Sequence, residues 1–346
     1  MSELGRCGRF RLVERIGAGG MGEIFLAEED GTGRRVGIKR LLSQCARDPV
    51  FIGMFLDEAR LVTRMKHANV CEVYEHGQEG SHYYLVMEYI DGVSLRELLE
   101  ARKGRGLPFP LAARIMAEVA AALDYAHRLE DELGAPLGIV HRDVSPGNIM
   151  IRRDGHVKLV DFGLAKARTQ IMKTQPGLVK GKFGYLAPEQ LSGRTDWRTD
   201  LFALGLCLFE AMTGRQLFDQ FSAAETVKAI QSFQGPPRMD GAPGGLHEVL
   251  TKVLSRDPND RQQSAGEFRA GLGKVVVQSG HGAVSATAVA ALLRGGVSSD
   301  APPAAPRISA PGEDSPSPPT RSALPILLGV FALAMAAMLW FLFTQM

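Results

Sequence analysis

The chain has 346 residues and a formal net charge of +2, and 45% of the residues are hydrophobic. This content is enough to bury a large core. The near balance of charge, without interleaved aromatic residues, gives no sign of a nucleic-acid surface, so we expect no nucleic-acid partner. The four cysteines form no C-x-x-C pair, which indicates reduced, mostly structural thiols rather than a disulfide framework.

A glycine-rich segment near the N-terminus is the first feature with a chemical use. Residues 16–24 read I-G-A-G-G-M-G-E-I, in which Gly17, Gly19 and Gly22 fit the pattern G-x-G-x-x-G. Glycine lets the backbone approach phosphate groups that a Cβ atom would keep away. The residues after Gly22 alternate like a strand. This favours a loop that covers nucleotide phosphates between two strands over a dinucleotide-binding fold, in which the glycines open a helix.

An apolar strand and a helix follow, each with one charged residue of interest. Lys39 ends the run V-G-I-K, and Glu58 lies within the helical spacing of apolar residues at 51–65. An ion pair between Lys39 and Glu58 would hold the ammonium group where it can bind nucleotide phosphates. The alternative is that Lys39 is a solvated strand lysine and Glu58 a surface acid.

Two motifs and one intervening residue in the middle of the chain give the strongest signal. Asp143 ends H-R-D, Asn148 follows five residues later, and Asp161 opens D-F-G. Magnesium-assisted phosphoryl transfer needs one carboxylate to orient the attacking hydroxyl. It also needs an amide and a second carboxylate to hold metal against the nucleotide phosphates. We therefore predict Asp143 as a catalytic residue, and Asn148 and Asp161 as catalytic residues that ligate magnesium.

The composition changes after about residue 277. Residues 278–322 are rich in Ala, Ser, Gly and Pro, which predicts a disordered linker, although we allow for a short helix at about 285–294. Residues 324–343 carry no charge and match the roughly 20 residues that span a bilayer. The alternative is a buried hydrophobic helix. Because Arg321 precedes the span, we expect a single-pass protein of the cell membrane with its N-terminal part in the cytoplasm.

Together these motifs resemble those of eukaryotic-like (Hanks-type) bacterial serine/threonine protein kinases. The resemblance implies an α+β, bilobal kinase domain at 10–272, with a β-rich N-lobe at about 10–87 and a helical C-lobe at about 92–272. It implies ATP and magnesium as cofactors, and serine or threonine hydroxyls of proteins as acceptors. It also implies an ion pair between Glu189 of A-P-E and Arg261 that holds the substrate-binding segment to the large lobe.

By the same resemblance, the nucleotide would lie between the glycine-rich loop and the hinge that follows the gatekeeper Met87. Lys39 and Glu58 would position the phosphates, and the backbone of residues 88–90 would bind adenine. The residues expected to bind ATP are Ile16, Gly17, Ala18, Gly19, Gly20, Met21, Gly22, Glu23, Ile24, Lys39, Met87, Glu88 and Ile90.

Three positions depart from the family pattern. Ser145 stands where the family usually has Lys, and Lys182 where it usually has Thr. We hypothesise that Lys182 is a catalytic residue that supplies the missing positive charge. The alternative is an exposed Lys182 and a Ser145 hydroxyl that contacts the catalytic loop. Gly37 replaces the usual Ala over adenine, and we expect this to weaken ATP binding.

Regulation can be predicted from basic residues near the activation segment. Arg142 and Lys166 resemble the groups that bind a phosphate on this segment in the family. Thr174 is the preferred phosphorylation site and Thr169 the second choice, and a homodimer would allow phosphorylation in trans. The alternative is that neither threonine is modified.

Two other classes of function stay open. The first is a membrane-tethered nucleotide-binding pseudokinase scaffold, which Ser145 favours and which the intact Lys39, Asp143, Asn148 and Asp161 oppose. The second is a kinase of small molecules, which shares the cleft chemistry. The A-P-E motif and a full activation segment favour protein substrates over small molecules.

Overall fold

The computed structural model describes residues 4–18, 22–162, 183–219, 222–294 and 307–308, without the side chains of Glu58, Arg307 and Ile308. Its N-terminal part is an antiparallel sheet in the order β1-β2-β3-β4-β6-β5. The strands are β1 (Arg6–Cys7), β2 (Phe10–Ala18), β3 (Gly22–Glu29), β4 (Arg35–Leu41), β5 (Val73–Glu79) and β6 (His82–Glu88). In β2, Phe10 and Leu12 are buried and Arg11 is exposed, the alternation of a strand with one face on a core.

Helix α1 (Pro49–Val62) lies between β4 and β5 in the chain. The Asp48 side chain caps it by accepting a hydrogen bond from Val50 N, and proline suits the first helical position because its missing N–H is not needed there. Phe55 is buried together with Leu41 and Leu85 of the sheet. These contacts fix α1 against β4 and β6, the strands that carry Lys39 and Met87.

The second part of the chain is mainly helical. Its helices are α2 (Leu95–Ala101), α3 (Phe109–His127), α4 (Trp197–Thr213), α5 (Ala223–Ser232), α6 (Leu246–Val253) and α7 (Ala265–Gln278). Helix α4 is buried from Thr199 to Thr213 because α3 and α6 pack against it. It ends at Gly214, whose φ of +71° is the left-handed conformation that glycine adopts without strain. The β-rich N-lobe and the helical C-lobe predicted from the sequence are confirmed.

A small sheet packs against helices α2 and α3 and positions the site. It consists of β7 (Gly92–Ser94), β8 (Ile149–Arg152) and β9 (Val157–Leu159), in that order. Asn148 directly precedes β8, and Asp161 follows β9 by two residues. Because β8 and β9 are antiparallel neighbours, these two residues enter the site from the same end of the hairpin.

The chain remains structured beyond α7. Helix α8 (Ala286–Leu293) begins at the cap Ser285, whose side chain accepts from Ala288 N, and Val289 and Ala290 are buried. The short helix expected at about 285–294 is thus confirmed, and the start of the predicted linker at 278 was placed too early. The run A-T-A-V-A-A-L-L gives this segment an apolar side to bury, which the average composition of the region concealed.

Further along, strand β10 (Met239–Asp240) pairs with β11 (Arg307–Ile308). In the described parts of the chain, no helix has both the length and the apolar content needed to cross a bilayer. The predicted span at 324–343 and most of the predicted linker lie outside the described residues.

Candidate active site

A buried carboxylate on α4 shapes the loop that carries Asp143. Asp200 Oδ2 accepts from His141 N at 2.8 Å, and Oδ1 accepts from Arg142 N at 2.6 Å. His127 Nε2 lies 2.8 Å from Asp200 Oδ2, so this histidine supports the same carboxylate. Arg142 has a φ of 64°, a conformation that costs on the order of 1 kcal/mol for a non-glycine residue. The hydrogen bonds that the backbone N–H groups of His141 and Arg142 donate to Asp200 offset that strain.

The histidine of the H-R-D motif connects this loop to the segment with Asp161. His141 is fully buried, and its Nε2 lies 2.9 Å from Val160 O. Its ring packs on that of Phe162 with 4.6 Å between centroids. Asp161 itself has a φ of 63°, so its backbone is held in an uncommon conformation between these two contacts.

Asn148 is oriented by the residue that it follows in the motif. Its Nδ2 donates to both Asp143 O and Asp143 Oδ2, each at 2.7 Å. Asn148 N also donates to Ser145 O at 2.9 Å, which closes a tight turn between the two motif residues. With the amide nitrogen committed to Asp143, the amide oxygen is the atom of Asn148 that can ligate a cation.

Lys39 lies on β4 between Ile24 of β3 and Leu85 of β6. Its Nζ lies 2.6 Å from Asp161 Oδ1, and the two side chains are only 8% and 14% exposed. The solvated-lysine alternative for Lys39 is therefore wrong. Glu58 is on α1, but its side chain lies outside the described residues, so the Lys39–Glu58 pair stays a prediction.

The donor set fits a hard divalent cation. Val160 N donates to Asn148 O at 3.0 Å, which places Asn148 and Asp161 side by side at the end of the β8–β9 hairpin. A carboxylate and an amide oxygen are ligands that Mg²⁺ prefers in proteins, where it also retains water and phosphate oxygens. Such an ion would neutralise charge on the transferring phosphate.

The glycine-rich segment joins β2 to β3, as predicted. Gly17 pairs with Ile24 and Ala18 with Glu23, whereas Gly19, Gly20 and Met21 lie outside the described residues. Ile16, at the outer end, is 46% exposed. The loop therefore connects two strands, as the nucleotide-phosphate interpretation requires.

Gly22 and Glu23 at the start of β3 have structural contacts of their own. A Cβ atom on Gly22 would lie 2.8 Å from Arg40 O, so the close approach of β4 requires glycine here. Glu23 Oε2 accepts from Arg40 Nη2 at 3.1 Å, and Glu23 Oε1 lies 3.3 Å from Arg15 Nε. These contacts tie Glu23 to the neighbouring strands.

The hinge follows β6. Met87 pairs across the sheet with Gly37, and a Cβ on Gly37 would lie 3.0 Å from Met87 Cγ. Met87 therefore takes up part of the space that an alanine methyl at position 37 would fill. Ile90 is half-buried, and the Glu88 carboxylate receives basic side chains from the β8–β9 hairpin, which sequence patterns gave no means to find.

A small apolar cavity lies behind Lys39. Its walls include Met65, Cys71, Met87 and Phe162. Burial raises the pKa of the Cys71 thiol to about 12, so this cysteine stays protonated. All four cysteines are buried and free, as the absence of paired motifs indicated.

The predicted contact between the A-P-E motif and Arg261 is confirmed. Arg261 Nη1 and Nη2 donate to Glu189 Oε1 and Oε2 at 2.7 and 2.8 Å, and the Arg261 side chain is fully buried. Thr199 of α4 adds a third hydrogen bond to Glu189 at 3.0 Å.

Residues 163–182, which contain Lys166, Thr169, Thr174 and Lys182, lie outside the described part of the chain. The Nε atom of Arg142 is buried and has no hydrogen-bond partner among the described residues. Burial lowers the pKa of Arg142, an effect that Asp200 opposes.

Comparison with known proteins places this geometry in a family. The protein kinase domain model matches residues 10–268. The chain is 39% identical over 270 residues to the tyrosine-protein kinase MasK of Myxococcus xanthus, which covers 75% of this chain and 42% of MasK. It is 35% identical over 268 residues to the serine/threonine-protein kinase PrkC of Bacillus subtilis, which covers 76% of this chain and 40% of PrkC.

A solved structure gives the same assignment. A point mutant of the kinase domain of PknI from Mycobacterium tuberculosis matches with a TM-score of 0.62 and 27% identity, over 80% of this chain and 99% of that domain. The chain spans about two fifths of the length of the two curated relatives named above. It belongs to the protein kinase family, in the Hanks-type group that includes the bacterial serine/threonine kinases.

Proposed function

We propose that the chain transfers the γ-phosphate of ATP to serine or threonine hydroxyls of proteins. The observation that carries the proposal is the convergence of four predicted residues from distant parts of the chain. Lys39 lies 2.6 Å from Asp161, and Asn148 lies 2.7 Å from Asp143, with both pairs at the junction of the lobes. An intact constellation of this kind opposes the pseudokinase alternative.

The roles follow from the chemistry of each group. Asp143 accepts a hydrogen bond from the attacking hydroxyl and orients it. Asn148 and Asp161 would hold magnesium, which would neutralise charge on the phosphates, and Lys39 would add a second positive charge toward the nucleotide. The acceptor hydroxyl would bind next to Tyr185 and A-P-E, which the Glu189–Arg261 pair holds to the C-lobe.

A second acceptor, the tyrosine hydroxyl, is supported by two observations. MasK, a relative at 39% identity, is named a tyrosine kinase, and Ser145 replaces the lysine typical of serine/threonine kinases. Phosphoamino-acid analysis of proteins labelled by the full chain decides between the two. We expect phosphoserine or phosphothreonine. Label confined to phosphotyrosine would overturn the acceptor assignment and keep the kinase.

We further propose that Lys182 contributes the positive charge that Ser145 cannot. Ser145 is 4% exposed and lies in the tight turn between Asp143 and Asn148, where a lysine would face the reacting phosphate by family resemblance. Lys182→Ala should lower kcat by at least about tenfold, equivalent to roughly 1.4 kcal/mol of transition-state stabilisation. The double variant Ser145→Lys/Lys182→Thr should recover part of it. A fully active Lys182→Ala would exclude this role.

We propose that a phosphate on Thr174, or else on Thr169, regulates the enzyme by binding Arg142. One copy of the chain would phosphorylate the threonine of a second copy. The buried Arg142 Nε without a described partner supports this, because a phosphate oxygen would complete its hydrogen bonds. Intact-mass analysis after incubation with magnesium and ATP should show added phosphate in the wild type and less in Thr174→Ala. An unchanged mass in an active wild-type enzyme would exclude the mechanism.

Finally, we propose that residues 324–343 hold the enzyme at the cytoplasmic face of the cell membrane, with the chain from 295 to 322 as the linker. The support is the charge-free apolar sequence of 324–343 and the preceding Arg321. We place the kinase domain at residues 10–272 and the start of the linker at residue 295.

A further inference from the structure

Ion pairs surround the hinge on both sides. Lys158 Nζ lies 2.7 Å from Glu88 Oε2, and Arg152 Nη1 lies 3.2 Å from Glu88 Oε1. Arg153 Nε lies 2.9 Å from Asp91 Oδ1. Glu88 and Asp91 flank the two central residues of the hinge. We call these five residues the hinge bracket.

Within the hinge bracket, the Lys158–Glu88 pair is the one that is shielded from water. The Lys158 and Glu88 side chains are 12% and 16% exposed, whereas Arg153 and Asp91 are 79% and 56% exposed. Exposed pairs are screened by water and contribute little, while a nearly buried pair constrains its partners strongly. All three basic residues lie on the β8–β9 hairpin, so the position of this hairpin decides how the hinge is held.

Helix α8 packs directly on the turn of that hairpin. A Cβ atom on Gly155 would lie 1.8 Å from Ala286 O and 2.8 Å from Ala290 N, both in α8. The turn therefore fits against the backbone of the first turns of α8, and only glycine permits that approach. Gly155 and Ala290, which meet at this contact, are both buried.

Helix α3 provides a second connection between α8 and the hairpin. Arg114 Nη1 donates to Val284 O, just before α8, at 3.3 Å, and its Nε donates to Glu118 Oε1 at 2.7 Å. Glu118 Oε2 accepts from Val157 N of β9 at 2.8 Å. The segment before α8 and the hairpin are thus both hydrogen-bonded to α3, by Arg114 and Glu118, which lie one helical turn apart.

We propose that α8 positions the hinge for nucleotide binding. Docking of α8 against Gly155 stabilises the hairpin position in which the hinge bracket holds Glu88, so α8 docking and nucleotide binding favour each other. The proposal rests on the nucleotide binding in the proposed function. The bland alternative is that α8 only covers apolar surface and has no effect on the cleft.

The first test uses the full chain and two glycine-to-alanine variants. Gly155→Ala drives a methyl group into Ala286 and should undock α8. Gly31→Ala is the matched control, because Gly31 has a φ of +77° against +86° for Gly155 but nothing within 4 Å of the added atom. We expect Gly155→Ala to raise the Kd for MgATP by about fivefold, which is the low end of the typical coupling between two sites. Gly31→Ala should change it less than about twofold.

The second test needs no variant. Coupling is reciprocal, so saturating MgATP should slow amide hydrogen exchange in residues 286–293 of the wild-type full chain. Unchanged exchange there, or a Kd equal in Gly155→Ala and Gly31→Ala, would overturn the proposal. If Gly155→Ala does not fold, the exchange measurement decides alone. A wild type that binds no MgATP would instead contradict the proposed function itself.

Discussion

Two carboxylates of the site, those of Asp161 and Asp200, contact groups that lie far away in the sequence. Lys39 and Asp161 are 122 residues apart and lie at 2.6 Å, and the Asp200 carboxylate orders the backbone at 141–142 from 58 and 59 residues away. Motif spacing identified the candidate residues of the site, because their chemical roles are fixed. It did not predict the side chains that hold these residues in place. The His127–Asp200 contact depends on how α3 and α4 pack, which no local pattern records.

At the same scale, the Glu189–Arg261 pair should be a major source of stability. Glu189→Gln leaves the fully buried Arg261 without its carboxylate, and loss of one partner in such a pair typically costs about 3 kcal/mol of the free energy of unfolding. Urea denaturation of the full chain measures the change.

The matched control is Asp57→Asn, which breaks an exposed pair. Arg60 and Asp57 lie at 3.3 Å with side chains 72% and 75% exposed, so no measurable change is expected. Equal stabilities of Glu189→Gln and Asp57→Asn would show that the buried pair does not secure the A-P-E segment.

At the scale of the elements, the connection between α1 and β5 contains a contact that depends on pH. His67 Nδ1 accepts from Asn69 N at 3.1 Å, and the His67 ring stacks on Tyr125. Burial, followed by the charges of Lys158 and Arg269, lowers the pKa of His67 below 6.5. Protonation on Nδ1 would break the hydrogen bond.

The sign of the resulting pH dependence follows from the lowered pKa. As the pH falls below 6.5, the unfolded chain binds a proton at His67 before the folded chain does, so this residue reduces stability until the folded pKa is passed. The urea midpoint should therefore drop less between about pH 7.5 and about pH 5.5 in His67→Phe than in the wild type. His76→Phe, on β5, is the control for replacing a histidine with a phenylalanine elsewhere in the chain. Identical slopes in wild type and His67→Phe would refute the assignment.

Elements with strong local signals were predicted well, and those defined by docking were not. The two strands around the glycines follow from alternation and a helix follows from the apolar spacing at 51–65, and the structure contains them as β2, β3 and α1. Helix α8 was allowed for but assigned to a linker, because its eight residues have no stable fold alone. Its order comes from the surface of α3 and the Gly155 turn.

For the whole molecule, the two lobes and the cleft between them follow from the order of the motifs, whereas the behaviour of the C-terminal segment remains a proposal. If 324–343 spans the membrane, the full chain should float with phospholipid vesicles in a density gradient, and a chain ending at 308 should stay at the bottom. A full chain that stays at the bottom with the shortened one would contradict membrane attachment. Such a result would leave the kinase assignment intact.

The most direct test of the central claim compares the full chain with Asp143→Asn, with magnesium, labelled ATP and generic protein acceptors. Asn148 donates to Asp143, and Asn at 143 keeps the shape but loses the carboxylate that orients the acceptor hydroxyl. We expect MgATP binding within about twofold of wild type and a loss of transfer on the order of 100-fold or more. Transfer at the wild-type rate by Asp143→Asn, or MgATP binding by the wild type without transfer to itself or any acceptor, would contradict it.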